Sequence, residues 1–291
     1  MKKFLLSVLL VVAVTLSVVP AAASSNTAKP YATLSSTSVD PGETLCVKLR
    51  GTEDASGVRV ENPFGFNVRF TKAGKNLLIG FLPVSYHTAA GTYTVSVLGD
   101  RLRDGGAVFT VQVSDKQFDL QELIVDEQVA GSTIFNDAAS KEFRQKIWPL
   151  KEIYDDEKYF DGPFRRPMDG EYTVTTPFGF LRTVNGKPNP RHDGIDWSAG
   201  TGTPVYAAQN GRVLFADFVQ LTGKTIVVEH GCGLKSWYEH LSEINVEAGA
   251  MVKTGDLIGK VGATGFATGP HLHFSASING VYINPLTLTD S

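Results

Sequence analysis

The sequence has few cysteines and almost no excess of charge. The two cysteines, Cys46 and Cys232, are too few and too far apart for a disulfide framework, so we expect two separate buried thiols. Cys232 lies in a Gly-Cys-Gly segment, where a turn residue is favoured over a metal-binding thiolate. A formal net charge of −3 over 291 residues gives no indication of a nucleic-acid partner.

Long apolar runs are also missing, apart from one at the start of the chain. Residues 4–19 are mostly apolar, follow two lysines, and end at Pro20 and three alanines. This arrangement is typical of a secretory signal peptide, and we expect cleavage after Ala23. An uncleaved anchor is the alternative, but the run is short for a span of about 20 residues. We therefore predict a secreted or cell-envelope protein without stable membrane insertion.

The remaining chain, roughly 270 residues, is long enough for two domains. Between residues 31 and 114 the chain consists of short alternating segments separated by turn residues. Leu45, Val47 and Leu49, for example, occupy every second position. Short strands at this spacing predict an immunoglobulin-like β-sandwich as an accessory domain over residues 31–114.

Residues 115–165 have a different pattern. Phe143, Ile147, Leu150 and Tyr154 recur at helical spacing among charged residues. We therefore predict a helical connector, which Pro149 should kink or split. The strand pattern returns over residues 166–291, so the whole chain is predicted to be mainly β, with a second domain there.

Histidine is scarce but clustered, because five of the six histidines lie between positions 192 and 273. His192 and Asp196 form an H-x-x-x-D pattern, and His271 and His273 form H-x-H. In a strand, alternate residues share a face, so His271 and His273 can converge on one small object. The same alternation places His240 on a strand face with Tyr238 and Ser236.

Two imidazoles and one carboxylate are a donor set that a catalytic zinc uses while it keeps one position open for water. His192, Asp196 and one of His271 and His273 would supply this set. The remaining histidines could provide a base and an oxyanion donor for hydrolysis. The spacing leaves open which member of H-x-H binds the metal.

Several motifs in this half resemble those of lysostaphin-type (LytM-like) zinc endopeptidases. They span about residues 170–286 and occur in the same order as in that family. The motif residues are 174–179 with Arg182, 192–196, 202–205 with 211–213, 238–241, 255–259, 262–265 and 269–274. The resemblance implies that residues 166–291 form an antiparallel-sheet, LytM-like peptidase domain. It does not extend to the N-terminal half.

The resemblance also implies a role for each residue of the cluster. His192, Asp196 and His273 would bind zinc. His271 would act as general base or orient the attacking water. His240 would stabilise the oxyanion, either as an imidazolium or by N–H donation.

The substrates implied by the resemblance are stem peptides or cross-bridges of bacterial peptidoglycan. Relatives that cut glycine bridges often have a tyrosine shortly before the first metal-binding histidine. None lies between Leu181 and His192, which favours stem-peptide cross-links. The alternative is a non-catalytic wall-binding regulator that activates another hydrolase, but the five site positions are all intact. The sequence does not identify protein partners, and it does not decide the role of the N-terminal domain.

Two tryptophans lie close in sequence to the candidate site residues. Trp197 follows Asp196 directly, and Trp237 precedes His240 by three positions. We predict that both lie near the cleft, with two core tryptophans as the alternative.

Overall fold

The computed structural model describes residues 28–289, and most of its regular structure is β-strand. The predicted signal peptide, residues 1–23, lies outside the described residues. A β-sandwich is followed by a segment that contains three short helices and then by a larger β-rich unit. The prediction of a mainly β chain with a helical connector is confirmed.

The sandwich consists of two four-stranded sheets. One has the order β1 (Tyr31–Leu34), β3 (Thr44–Arg50), β6 (Leu77–Pro83) and β5 (Thr71–Gly74). The other has the order β2 (Ser38–Val39), β8 (Gly106–Val113), β7 (Gly91–Leu98) and β4 (Arg59–Glu61). This division of strands between two sheets is that of the immunoglobulin fold.

Alternation along β3 shows why this segment forms a sandwich strand. Leu45, Val47 and Leu49 are at most 1% exposed, because they face the opposite sheet. Val95 and Val111 from β7 and β8 are fully buried in the same interior. Burying every second side chain leaves the other face of each strand for solvent.

The connecting segment contains β9 (Leu120–Leu123), α1 (Glu127–Ser132), α2 (Asp137–Lys146) and α3 (Trp148–Glu152). The Asn136 side chain caps α2 by accepting hydrogen bonds from the first-turn backbone. Pro149 lies in the first turn of α3, where proline is tolerated, so the helical pattern is split at Ile147 as predicted. The strand β9 was not indicated by the helical spacing.

The β-rich unit is built on an eight-stranded sheet. Along the sheet lie β10 (Val174–Thr176), β13 (Gly194–Ser198), β21 (His271–Ile278), β17 (Leu234–Leu241), β16 (Gly223–Gly231), β15 (Gly211–Val219) and β19 (Met251–Val252), and β22 (Val281–Ile283) pairs with β21. These pairings are antiparallel. The strands β16, β17 and β21 are almost completely buried.

Two smaller sheets flank the large one. One has the order β14 (Pro204–Tyr206), β20 (Leu257–Lys260) and β18 (Glu243–Ile244), and the other has the order β12 (Lys187–Asn189), β11 (Leu181–Val184) and β9. Because β9 pairs in parallel with β11, the connecting segment is hydrogen-bonded to the β-rich unit. No helix in the described part of the chain is long and apolar enough to cross a membrane.

The two faces of β21 differ in chemistry. Leu272, Phe274 and Ala276 belong to the main apolar core, as strand alternation predicts. The opposite face carries His271, His273 and two serines. The β-strand therefore supplies core residues and polar site residues in turn.

Candidate metal centre

His192, Asp196 and His273 come together at one end of the large sheet. Asp196 on β13 pairs directly with His273 on β21, and His192 lies in the loop before β13. His273 Nδ1 is 2.7 Å from Asp196 Oδ1 and 2.9 Å from His192 Nε2, and His192 Nε2 is 3.0 Å from Asp196 Oδ1. All three residues are buried, so their donor atoms face one another rather than solvent.

Neighbouring groups determine which ring nitrogens carry protons. His192 Nδ1 donates to the Pro177 carbonyl oxygen at 2.8 Å. His273 Nε2 lies 2.7 Å from Ser275 Oγ and 3.3 Å from an Asp193 carboxylate oxygen, so we assign its proton to that nitrogen. With both rings neutral, His192 Nε2 and His273 Nδ1 present lone pairs to each other.

The third donor of the group is ionised. Burial acts to raise the pKa of the Asp196 carboxyl, but hydrogen bonds from the His192 and His273 rings, formed when these nitrogens carry a proton, hold that pKa well below its usual range. Arg182 Nη2 also donates to Asp196 Oδ2 at 3.1 Å. The other oxygen, Oδ1, therefore faces the two imidazole nitrogens.

Three lone-pair atoms within 3.0 Å of one another repel unless a cation or a proton lies between them. The group of His192, Asp196 and His273 therefore fits a metal ion, and imidazole with carboxylate suits a divalent transition metal. In the absence of a metal ion, a proton on one of the imidazole nitrogens can remove this repulsion. Burial acts to lower the pKa of His273. The nearby carboxylates of Glu239, Asp193 and Asp196 outweigh burial and raise this pKa well above its usual value.

His271 lies beside the donor group without joining it. Its Nε2 is 3.8 Å from Asp196 Oδ1, and its Nδ1 donates to the Gly269 carbonyl oxygen at 2.8 Å. Burial lowers the pKa of His271, which favours the neutral ring. In this state His271 Nε2 is a hydrogen-bond acceptor at the edge of the group.

The His240 ring lies beside His271 because the sheet is irregular at this position. The register of β16 and β17 shifts so that Thr225 opposes both Glu239 and His240, which is a β-bulge. His240 has a φ of 62°, which is uncommon for a residue other than glycine. Its ring centroid lies 4.8 Å from that of His271, whereas Tyr238 belongs to the apolar core. The expectation that His240 shares a face with Tyr238 and Ser236 is therefore wrong, because the bulge turns the ring to the other side.

Backbone contacts hold His240 in this conformation. Its backbone N–H donates to the Thr222 carbonyl oxygen at 2.9 Å, and its Nδ1 donates to the Thr264 carbonyl oxygen at 2.8 Å. Burial, followed by charge repulsion between the protonated forms of His240, His271 and His273, lowers the pKa of His240 to about 3. The neutral ring thus has Nε2 as its only free nitrogen.

The five predicted site residues adjoin a cleft of about 530 Å³, and all of them except His192 line it. Residues that the sequence did not single out also line the cleft. Asp193 and Glu239 are acids next to His273, and the connecting segment contributes Gln121, Leu123 and Phe143 among others. Proximity to the motifs could have suggested Asp193 and Glu239. No local pattern indicated the connecting segment, because its contact is long-range.

The two tryptophans that are close to the site in sequence pack against aromatic residues. Trp197 stacks on Phe274 at 5.8 Å between ring centroids, and Trp237 packs against Tyr282. Neither tryptophan is among the described residues that line the cleft, which favours the alternative of two core tryptophans. Both are 5% or less exposed and serve as core residues.

The cysteines agree with expectation in part, because neither is paired but only Cys232 is buried, whereas Cys46 is half-buried. Cys46 and Cys232 are both free thiols. Cys232 lies in the turn between β16 and β17 with a φ of 57°, as the flanking glycines indicated. Cys232 is not among the described residues, 28–289, that line the cleft.

Comparison with known proteins gives consistent matches for the C-terminal half. Residues 190–285 match the model of Peptidase family M23. Over 178 residues the chain is 30% identical to the peptidoglycan DD-endopeptidase ShyA of Vibrio cholerae, which covers 57% of this chain and 41% of that protein. The chain spans between 26% and 41% of the length of the curated relatives that it matches.

Solved structures give matches of two kinds. A candidate peptidase M23 from Pseudomonas aeruginosa is 26% identical, with a TM-score of 0.60 over 85% of this chain and 93% of that one. The catalytic domain of lysostaphin from Staphylococcus simulans is 33% identical, with a TM-score of 0.37 over 40% of this chain and 90% of that domain. The C-terminal β-rich unit contains a Peptidase family M23 domain.

Proposed function

We propose that this protein is a secreted zinc metalloendopeptidase that hydrolyses peptide bonds of bacterial peptidoglycan. The observation that carries the proposal is the convergence of His192, Asp196 and His273, with His271 and His240 beside them, at an open cleft. The family match supports peptidase chemistry, and the relatives named peptidoglycan DD-endopeptidases support the substrate class. The absence of a tyrosine before His192 favours stem-peptide cross-links.

His192 Nε2, Asp196 Oδ1 and His273 Nδ1 would hold the zinc ion. When bound, zinc supplies Lewis-acid chemistry, because it polarises a carbonyl group and makes water a stronger acid. The hydrogen bonds from His192 to Pro177 and from His273 towards Asp193 orient both rings for this task.

His271 is the residue placed to accept a proton. Its Nδ1–H is held by the Gly269 carbonyl, which directs the Nε2 lone pair towards the edge of the donor group. A water between Nε2 and the scissile carbonyl would lose its proton to this nitrogen as it attacks. The transfer needs no movement of the ring, since the proton on Nδ1 stays with Gly269.

His240 would stabilise the charge that develops on the carbonyl oxygen. Its Nδ1–H is already committed to the Thr264 carbonyl. Donation through Nε2 therefore requires the imidazolium form, which burial opposes in the resting site and which the developing negative charge favours. Of the two modes that the resemblance allowed, the imidazolium mode keeps the Thr264 hydrogen bond.

The decisive experiment uses the purified protein with peptidoglycan, with and without a zinc chelator. We expect new free amino groups, loss of their release with chelator, and recovery when zinc is restored. His273→Ala should abolish release, whereas His87→Ala, the matched control outside the cluster, should not. If no amino groups appear, or if release is indifferent to the chelator, the enzyme proposal is wrong.

Two further measurements refine the proposal. Mass spectrometry of fragments from defined muropeptides identifies the bond that is cut. A chain that folds and binds the wall but contains no metal would instead indicate a non-catalytic regulator. Export is tested by N-terminal sequencing of the mature protein, which should begin at Ser24.

A further inference from the structure

We propose that Gln121, on the connecting segment, is a positioning residue for the metal ligand Asp196 and acts through Arg182. The inference rests on the proposed metal function of Asp196. Both Gln121 and Arg182 lie outside residues 190–285, the part of the chain that matches the family model. The connecting segment would then complete the metal centre in addition to joining two β units.

The two carboxylate oxygens of Asp196 have different partners. Oδ1 faces His192 Nε2 and His273 Nδ1, whereas Oδ2 accepts a hydrogen bond from Arg182 Nη2 at 3.1 Å. The Asp196 side chain is 8% exposed and the Arg182 side chain is 15% exposed, so water competes little for this contact. Arg182 therefore opposes rotation of the carboxylate and keeps Oδ1 directed at the metal position.

Arg182 is held in turn by Gln121. Its Nε donates to Gln121 Oε1 at 3.0 Å, and Gln121 Nε2 donates to Thr176 Oγ1 at 2.9 Å. Thr176 on β10 pairs in register with Asp196 on β13. Gln121 therefore closes a ring of contacts that leads from Asp196 through Arg182 and Thr176 back to Asp196.

The backbone around Gln121 is held as firmly as its side chain. In the parallel pairing of β9 with β11, Gln121 lies opposite Arg182. Beyond the end of the strand, Asn185 Nδ2 donates to the Val125 carbonyl at 3.0 Å, and the Val125 N–H donates to Asn185 Oδ1 at 2.9 Å. A fixed strand with a fixed amide is the arrangement that can position a neighbouring guanidinium.

Gln121→Leu in the full chain tests the proposal, because leucine has a similar volume and cannot hydrogen-bond. Removing groups that orient metal ligands costs about 10- to 100-fold in metal affinity, and Gln121 is one contact further out, so we expect the zinc Kd to rise about 10-fold. Zinc affinity is measured by competition with a chromophoric chelator. The absorption spectrum of the cobalt-substituted protein should also change, since the carboxylate is less constrained.

Two further variants separate positioning from general strand effects. Gln121→Glu keeps an oxygen acceptor for Arg182 Nε and should restore most of the affinity. Glu122→Leu changes the exposed neighbour on the same strand and should leave both zinc affinity and the cobalt spectrum as in the wild type. Thermal unfolding of the metal-free proteins checks that each variant folds.

The outcomes are distinct. Wild-type zinc affinity and an unchanged cobalt spectrum in Gln121→Leu would overturn the inference while leaving the proposed function intact. Equal weakening by Glu122→Leu would also overturn it, since the effect would then belong to the strand. A wild-type chain that binds no zinc would refute the proposed function itself.

Discussion

Asp196 and His273 are cross-strand partners, and their side chains meet at 2.7 Å on the same face of the large sheet. Two of the three candidate ligands thus lie on adjacent strands whose register is set by backbone hydrogen bonds. Such a pair needs no loop movement to form, because the sheet holds both residues before any metal arrives. Only His192 depends on a loop, and its ring is tied to the Pro177 carbonyl.

Metal removal should destabilise the protein. An ion that binds only the folded chain stabilises it by about 2.7 kcal/mol when its concentration is 100 times its Kd. We therefore expect a zinc chelator to lower the Tm, as measured by calorimetry. Asp196→Asn should abolish most of this difference, because the amide carries no charge and leaves Arg182 without its ionic partner. Asp100→Asn, in an exposed turn, serves as the control, and an equal response to zinc in Asp196→Asn would contradict the assignment.

His271→Ala should separate catalysis from metal binding. Since His271 Nε2 lies 3.8 Å from Asp196 Oδ1 and outside the donor group, the variant should retain zinc. Loss of a positioned base costs about 10²- to 10⁴-fold in rate, and we expect kcat to fall within this range. Elemental analysis and muropeptide hydrolysis are the measurements. Loss of zinc in His271→Ala, with retention in His273→Ala, would reverse the two roles.

Gly223→Ala should disturb the bulge that presents His240. Gly223 has a φ of 68°, and a methyl group there would overlap the Thr264 side chain and carbonyl group. Thr264 accepts the hydrogen bond from His240 Nδ1. We expect a loss of about 1–3 kcal/mol in the free energy of unfolding and a lower kcat. Gly200→Ala is the matched control, because a methyl group there meets no atom within 4 Å. Equal stability and activity of the two variants would argue against this role.

Lys235→Met should destabilise the large sheet. Lys235 Nζ lies 2.8 Å from Glu229 Oε2, and both side chains are fully buried. Removing one member of such a pair leaves an uncompensated charge, which costs about 3–5 kcal/mol. Lys235 also donates to the Ile153 carbonyl at 2.6 Å, so the connecting segment should loosen as well.

Urea unfolding measures the effect of Lys235→Met, and Glu229→Gln in the same chain should restore part of the loss. This recovery is expected because the double variant leaves no buried ion unpaired. An unchanged unfolding midpoint in the single variant would show that the pair is not needed for stability. The surface pair of Lys72 and Glu53 provides a control of low expected effect, since both side chains are largely exposed.

Strand periodicity made much of the fold predictable. The buried positions of β3 and the two faces of β21 follow from alternation, because a strand exposes successive side chains to opposite sides. The split of the helical segment follows from Pro149, whose ring cannot continue a helix that began several turns earlier. These features depend on residues within a few positions of one another.

Strand alternation predicted the wrong face for a side chain where the sheet is irregular. His240 would face the core in a regular strand, but the bulge opposite Thr225 turns it into the cleft. A bulge is a property of two paired strands, so one strand's sequence does not reveal it. Trp197 packs in the main core with Phe274, and Trp237 packs against Tyr282, so nearness in sequence to Asp196 and His240 does not place a side chain in the wall of the cleft.

The sequence by itself determined the chemistry that is available: two imidazoles and a carboxylate at spacings suited to a metal, with two more histidines nearby. The spacing left open whether His271 or His273 joins the donor group, and only the family resemblance favoured His273. Only the tertiary structure decided that His273 presents Nδ1 to Asp196, that His240 leaves its expected face, and that Gln121 supports Arg182. The physical reason is that donor types are properties of single residues. Their convergence depends on cross-strand register and long-range hydrogen bonds, which no local pattern encodes.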